Sequence, residues 1–128
     1  MNEQLIQQLV ATRAAIGSGA WLMPRFSGRL FGLDPDANPQ APYLARLFGV
    51  RDVVLGVGLN SSSGAERQQW LRLGVACDLA DAAAGVLAGR SGALPKRATL
   101  LVTATALAAA AMGIAAMRGE ETETAPPS

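Results

Sequence analysis

The sequence predicts an all-α protein, a four-helix transmembrane bundle with a short interfacial segment between helices 1 and 2. Three observations lead there. Half of the 128 residues are hydrophobic and only 16% are charged, against about 25% in an ordinary soluble domain. The apolar residues gather into four segments of about 17 to 24 residues, close to the roughly 20 that cross a bilayer core as a helix. Mean hydropathy is positive, +0.24, although residues 24–42 and 118–128 are plainly polar. A helix is the expected spanning element because it satisfies its own backbone hydrogen bonds in lipid. At this length one domain is expected, over 1–118, followed by a disordered acidic and Pro-rich tail over 119–128.

The first segment runs from Leu5 to Met23 and is stopped by Pro24. Its leading residues, MNEQLIQQL, lack the positive patch of a signal peptide, so the segment is expected to stay in the mature protein. Residues 24–42 follow. Phe26, Leu30 and Phe31 among Arg25 and Arg29 fit a short helix lying on a membrane surface, and the remainder, rich in Pro and Asp, is an irregular loop. Asp34, Asp36 and Asn38 imitate the start of a calcium loop. Pro39 stands where that loop needs Gly, however, and Ala45 where it needs Glu, so no metal is expected.

The second segment, Tyr43 to Leu59, ends in the turn-forming run Asn60–Gly64. The third, Gln69 to Ala88, ends before Gly89-Arg-Ser-Gly92. The fourth, Leu94 to Met117, includes twenty uncharged residues, 98–117, more than one helix of a small soluble bundle can hide on all sides. Trp21, Tyr43 and Trp70 mark segment ends, where such rings favour the membrane–water boundary. Arg25, Arg29, Arg46, Arg90, Lys96 and Arg97 gather at one end of the expected bundle, against Arg67, Arg72 and Arg118 at the other. This asymmetry predicts a multi-pass protein of a bacterial plasma membrane, with loops 24–42 and 89–97 cytoplasmic and the termini outside. The bacterial source is read from ten Arg against one Lys.

Composition also excludes functions. A net charge of +1 supplies no basic field for nucleic acid. The absence of His removes the usual metal ligand and neutral-pH proton shuttle. Cys77 has no disulfide partner and apolar or acidic neighbours, so it is read as a small packing residue. Ser61, Ser62 and Ser63 have no accompanying base and read as a turn. No enzyme activity and no cofactor are expected.

Arg51 and Asp52 lie side by side inside the second apolar segment. Intramembrane charges are rare and usually paired. An antiparallel turn near residues 64 and 65 sets Arg51 level with Asp78, and a looser estimate brings Arg13 to the same depth. A mid-depth polar cluster of Arg13, Arg51, Asp52, Asp78 and Asp81 is therefore expected. Asp78 and Asp81 share one helix face with Gly74 and Gly85; Gly49 and Gly56 flank Asp52 in the same way. Small residues let membrane helices approach closely, so these four glycines are the expected packing positions. Arg51 with Asp52 costs about 5 to 7 kcal/mol on the insertion scale, against about −3 to −5 from nine Leu, Val or Phe residues. The segment therefore needs partners. With two positive and three negative groups, one carboxylate, of the Asp78/Asp81 pair, is expected to carry a proton. Two roles stay open: a structural clamp that locks helix register, or a proton or ligand site.

Three stretches carry a likeness to known proteins: Trp21-Leu-Met-Pro24 followed by Leu30-Phe-Gly-Leu-Asp-Pro35, Gly49-Val-Arg-Asp-Val-Val-Leu-Gly56, and Asp81-Ala-Ala-Ala-Gly85. Through them the chain resembles a family of small four-helix bacterial (actinobacterial-type) integral membrane proteins with a G-x-R-D element in helix 2. It is more distantly similar, in architecture, to DoxX-like proteins. The resemblance implies a fold and carries no activity. The expected function is a structural or accessory membrane subunit, in contact with the lipid bilayer and packed with copies of itself or a larger membrane complex. The alternative is a small transporter or a proton- or lipid-handling protein using the Arg/Asp cluster.

Overall fold

The structure is a computed structural model that describes residues 2–124. Five helices account for most of them: α1 (Asn2–Leu22), α2 (Pro24–Leu30), α3 (Ala41–Asn60), α4 (Gly64–Arg90) and α5 (Lys96–Thr124). Met23 breaks the α1 path, and Pro24 then opens α2 at the first helical position, where its missing N–H costs nothing. Helices α2 and α4 end in the same way. Gly32 and Gly92 each take φ +81. Leu33 N donates back to Gly28 O at 2.9 Å, and Ala93 N to Ala88 O at 2.9 Å. This six-to-one closure needs a left-handed residue, which only Gly supplies without strain.

Helix α1 packs along α3 and α4 along α5, and the two pairs meet more sparingly, α1 against α5 and α3 against α4. The α1–α3 contact is backbone on backbone. A Cβ on Gly17 would stand 2.6 Å from the Gly49 carbonyl oxygen, and one on Gly49 would stand 2.6 Å from that of Gly17. The large apolar core, Ile6, Leu9, Leu59, Leu71 and Ala116, lies toward one end, with Trp70 and Met112 packed beside it. There the Trp70 ring covers Gly58, where no side chain fits. Asn2 donates to Glu120 at 2.9 Å and Arg67 to Glu3 at 2.8 Å, tying α1, α4 and α5 together at the same end.

The expectation of four membrane spans is overturned. Among the described residues one helix is long and apolar enough to cross a membrane, α5 over Lys96–Glu123. Helix α2 is too short, at seven residues, and the other long helices carry charged or polar side chains along their length. Helix α3 holds Arg46, Arg51 and Asp52, and α4 holds Glu66, Arg67, Arg72, Asp78, Asp81 and Arg90. Helix α1 dilutes its Leu and Ile with Gln7, Gln8, Arg13 and Ser18. The four-helix transmembrane bundle therefore gives way to an all-helical fold of five helices with one span-competent member. That member is not a hidden core helix, since only 17% of its apolar window is buried.

Two further boundaries differ. The expected tail begins as helix: residues 119–124 complete α5, where Glu120 accepts from Asn2, while 125–128 lie outside the described residues. The segment after Met23 does form a short helix, α2, with Phe26 and Leu30 exposed.

Candidate functional site: a buried arginine–aspartate network

Helices α1, α3 and α4 each present a stripe of buried residues, and in all three that stripe passes through a charge. In α1 it runs Ile6, Leu9, Arg13, Gly17, Ala20; in α3 it includes Gly49, Asp52, Leu55, Gly56 and Leu59; in α4 it runs Leu71, Gly74, Val75, Asp78, Ala82, Gly85. The three- and four-residue steps are those of one helix face. Arg13, Asp52 and Asp78 therefore occupy positions that an apolar side chain would hold in an ordinary core.

Arg13 joins all three helices. Its Nη2 donates to Asp78 Oδ2 at 2.6 Å, and its Nη1 donates to Asp78 Oδ1 at 3.2 Å and to Asp52 Oδ1 at 3.0 Å. The Arg13 side chain is 8% exposed and those of both acids 7%. Asp78 thus receives both prongs of the guanidinium fork, the strong geometry for such a pair, while Asp52 receives one bond. Burial pushes the Asp52 carboxyl above its ordinary range, and Arg13 only partly offsets it. For Arg13 itself burial works against the charge, but the bonds to Asp78 and the nearby Asp52 outweigh it and hold the group above its ordinary value.

The second pair lies beside the first. Arg51 Nη1 donates to Asp81 Oδ1 at 3.0 Å and Nη2 to Asp81 Oδ2 at 2.5 Å. These side chains are 37% and 24% exposed. The Phe48 ring centroid is 5.0 Å from the Arg51 guanidinium carbon, within cation–π reach. The structure thus brings all five predicted residues together with different partners from those expected. Arg51 meets Asp81, one helical turn beyond Asp78, and Asp78 is taken by Arg13. The carboxyl that burial raises is that of Asp52, which Arg13 bonds only once.

The glycines make room for this arrangement. A Cβ on Gly74 would stand 2.9 Å from Arg13 Nη2, and one on Gly56 would touch Arg13 Cβ at 3.5 Å. Gly49 meets Gly17, as described. Gly85 instead faces α5, where a Cβ would stand 2.6 Å from Thr103 Oγ1. Gly17 escaped the sequence reading; its signal was its place four residues after Arg13, on the same face. The remaining sequence-level sites have local explanations. Asp36 is paired with Arg25 and lies 3.5 Å from Arg29, and its N–H bonds to Asp34 Oδ1 at 3.0 Å. The hydroxyls of Ser61 and Ser62 donate to Val57 O at 2.8 Å and Leu59 O at 3.2 Å, so both cap the end of α3.

No protein-family model matches the chain, and comparison with curated proteins and with solved structures gives no match. The class that the fold and site define is therefore physical: a five-helix bundle with one span-competent helix, a buried Arg13–Asp52–Asp78 network and a partly exposed Arg51–Asp81 pair beside it.

Proposed function

We propose that the chain is a small accessory protein of a bacterial plasma membrane, and that the network of Arg13, Asp52 and Asp78 is its structural clamp. The observation that carries the clamp is Arg13 itself, one buried guanidinium held by carboxylates from two other helices. Such a contact has only one register. A slide of α1 along α3 would strand two acids, and separating the α1–α3 pair from α4–α5 would strand Asp78. A surface groove along α4 and α5 and another beside Trp21 and Val50 are lined without any member of the network.

Membrane association is proposed through α5, together with apolar side chains that neighbouring helices leave exposed: Leu22, Phe26, Leu44, Val54, Val57 and Leu79 among them. The end carrying 24–42 and 89–97 is assigned to the cytoplasm by its arginines. Ala104, Ala108, Ala111 and Ala115 line an exposed face of α5 at one-turn spacing, suited to a second copy or a larger membrane complex. Vesicle flotation tests the first point: recovery with phosphatidylcholine vesicles is expected, and a protein that stays in the load fraction refutes it. Mild detergent extraction tests the second, where a lone monomer would count against an accessory role.

A proton or ligand role keeps one supporting observation, the formal excess of one carboxylate with Asp52 singly bonded. Replacing Asp78 and Asp81 with Asn separates the readings. The clamp predicts a protein that fails to accumulate. The alternative predicts a stable protein that has lost proton or solute flux in proteoliposomes.

A further inference from the structure

The Lys and Arg residues at one end of the bundle surround a groove that the network does not use. The Schellman turn at Gly92 folds α5 back onto α4, so that Arg90, the last residue of α4, and Lys96, the first of α5, line the same groove. Below them the walls are apolar: Val86 on α4 and Leu100 on α5, with Thr99 and Thr103 between. The groove has a volume of about 370 Å³. Its floor is closed by tight helix contact, since a Cβ on Gly89 would stand 2.5 Å from Thr99 Cγ2. Among the described residues no acid pairs with Arg90, Lys96 or Arg97.

We propose that this groove binds an anionic phospholipid, with the phosphate between Arg90 and Lys96 and an acyl chain along Val86, Leu100 and Thr103. The proposal rests on the membrane association argued above and adds the lipid class and its site. Charge complementarity selects the occupant. Arg25, Arg29, Arg46 and Arg97 lie at the same end, with Asp34 and Asp36 the acids there. Lys96 and Arg97 stand immediately before the twenty uncharged residues of α5, which is headgroup depth for a helix whose first exposed apolar side chain is Leu100. An anionic headgroup at that depth meets two unpaired cations, and its chain meets the apolar wall directly below. A soluble anion would gain the cations but leave Val86 and Leu100 uncovered.

The test uses the full chain in mild detergent, with thermal unfolding followed while phosphatidylglycerol, phosphatidylcholine or inorganic phosphate is added. Phosphatidylglycerol is expected to raise Tm saturably, and the other two are expected to leave it unchanged. In Arg90→Gln/Lys96→Gln, apparent affinity for phosphatidylglycerol should fall about thirtyfold, from about 1 kcal/mol for each cation near an anionic surface. Arg72→Gln/Arg118→Gln, at the opposite end, should behave as the unmodified protein. Three results would each overturn the proposal: an equal rise with phosphatidylcholine or phosphate, an unchanged affinity in the Arg90/Lys96 variant, or an equal loss in the Arg72/Arg118 variant. Failure to float with phosphatidylcholine vesicles refutes membrane association itself, so the two failures are distinguishable.

Discussion

Replacing Arg13 with Met keeps most of the side-chain volume and removes the one cation, among the described residues, that pairs with both Asp52 and Asp78. Two carboxylates, each 7% exposed, are then left without their hydrogen-bond donor. Breaking a buried pair by deleting one partner costs about 3 to 5 kcal/mol. Protonation of one of the two acids offers an escape. At pH 7 it costs about 4 kcal/mol, because an aspartate titrates near 3.9 and each unit above that costs 1.36 kcal/mol. A penalty of about 3 to 5 kcal/mol is therefore expected at pH 7. In the variant the folded-state carboxyl lies above its unfolded value, so its stabilising contribution is full at low pH and is lost as pH rises. The penalty should accordingly shrink by about 1.4 kcal/mol per unit as pH falls from 7 toward 5. Denaturant titration in mild detergent, followed by far-ultraviolet circular dichroism at pH 5, 6 and 7, measures both quantities. The triple variant Arg13→Met/Asp52→Asn/Asp78→Asn should recover most of the loss. A penalty below about 1 kcal/mol, or one that ignores pH, would refute the assignment of Arg13 as the clamp.

Other variants probe the surroundings. Gly74→Ala places a methyl 2.9 Å from Arg13 Nη2 and should cost about 1 to 3 kcal/mol by overpacking; in the Arg13→Met background the same change should cost measurably less. Gly17→Ala, set 2.6 Å from a backbone oxygen that cannot move aside, should cost a similar amount in any background. Arg51→Met should destabilise less than Arg13→Met in the same denaturation assay, because the Arg51–Asp81 pair is 37% and 24% exposed and water can solvate the acid left behind. The Glu3 carboxyl is held below its ordinary value, first by the hydrogen bond from Arg67. Its contribution is therefore present above the ordinary carboxylate range and lost as pH falls through the lowered value. The stability difference between the unmodified protein and Glu3→Gln should vanish in acid, read by thermal unfolding across pH.

Much of this was readable along the chain. Pro24, the Ser61–Gly64 turn and Gly92 punctuate the helices through local chemistry alone, so the four long helices could be placed from sequence. The five charged residues were also legible, because a charge inside an apolar run demands a partner wherever the chain places it. Membrane spans were overcounted for the converse reason. Pairing between helices is expected to offset the cost of the charges in α1, α3 and α4, yet those same charges and polar residues leave each of these helices, taken singly, too polar to cross.

The sequence by itself determined that Arg13, Arg51, Asp52, Asp78 and Asp81 had to meet, since none of these charges is tolerable alone among apolar neighbours. Tertiary structure decided who meets whom. A hairpin count places α3 against α4, yet α3 packs closely on α1, where Gly17 and Gly49 allow the backbones to touch. That contact carries Arg13 to Asp52 and within reach of Asp78, leaving Arg51 for Asp81. Pairing of this kind depends on rotation and depth set by close packing between segments distant in sequence, and no local pattern encodes those two quantities.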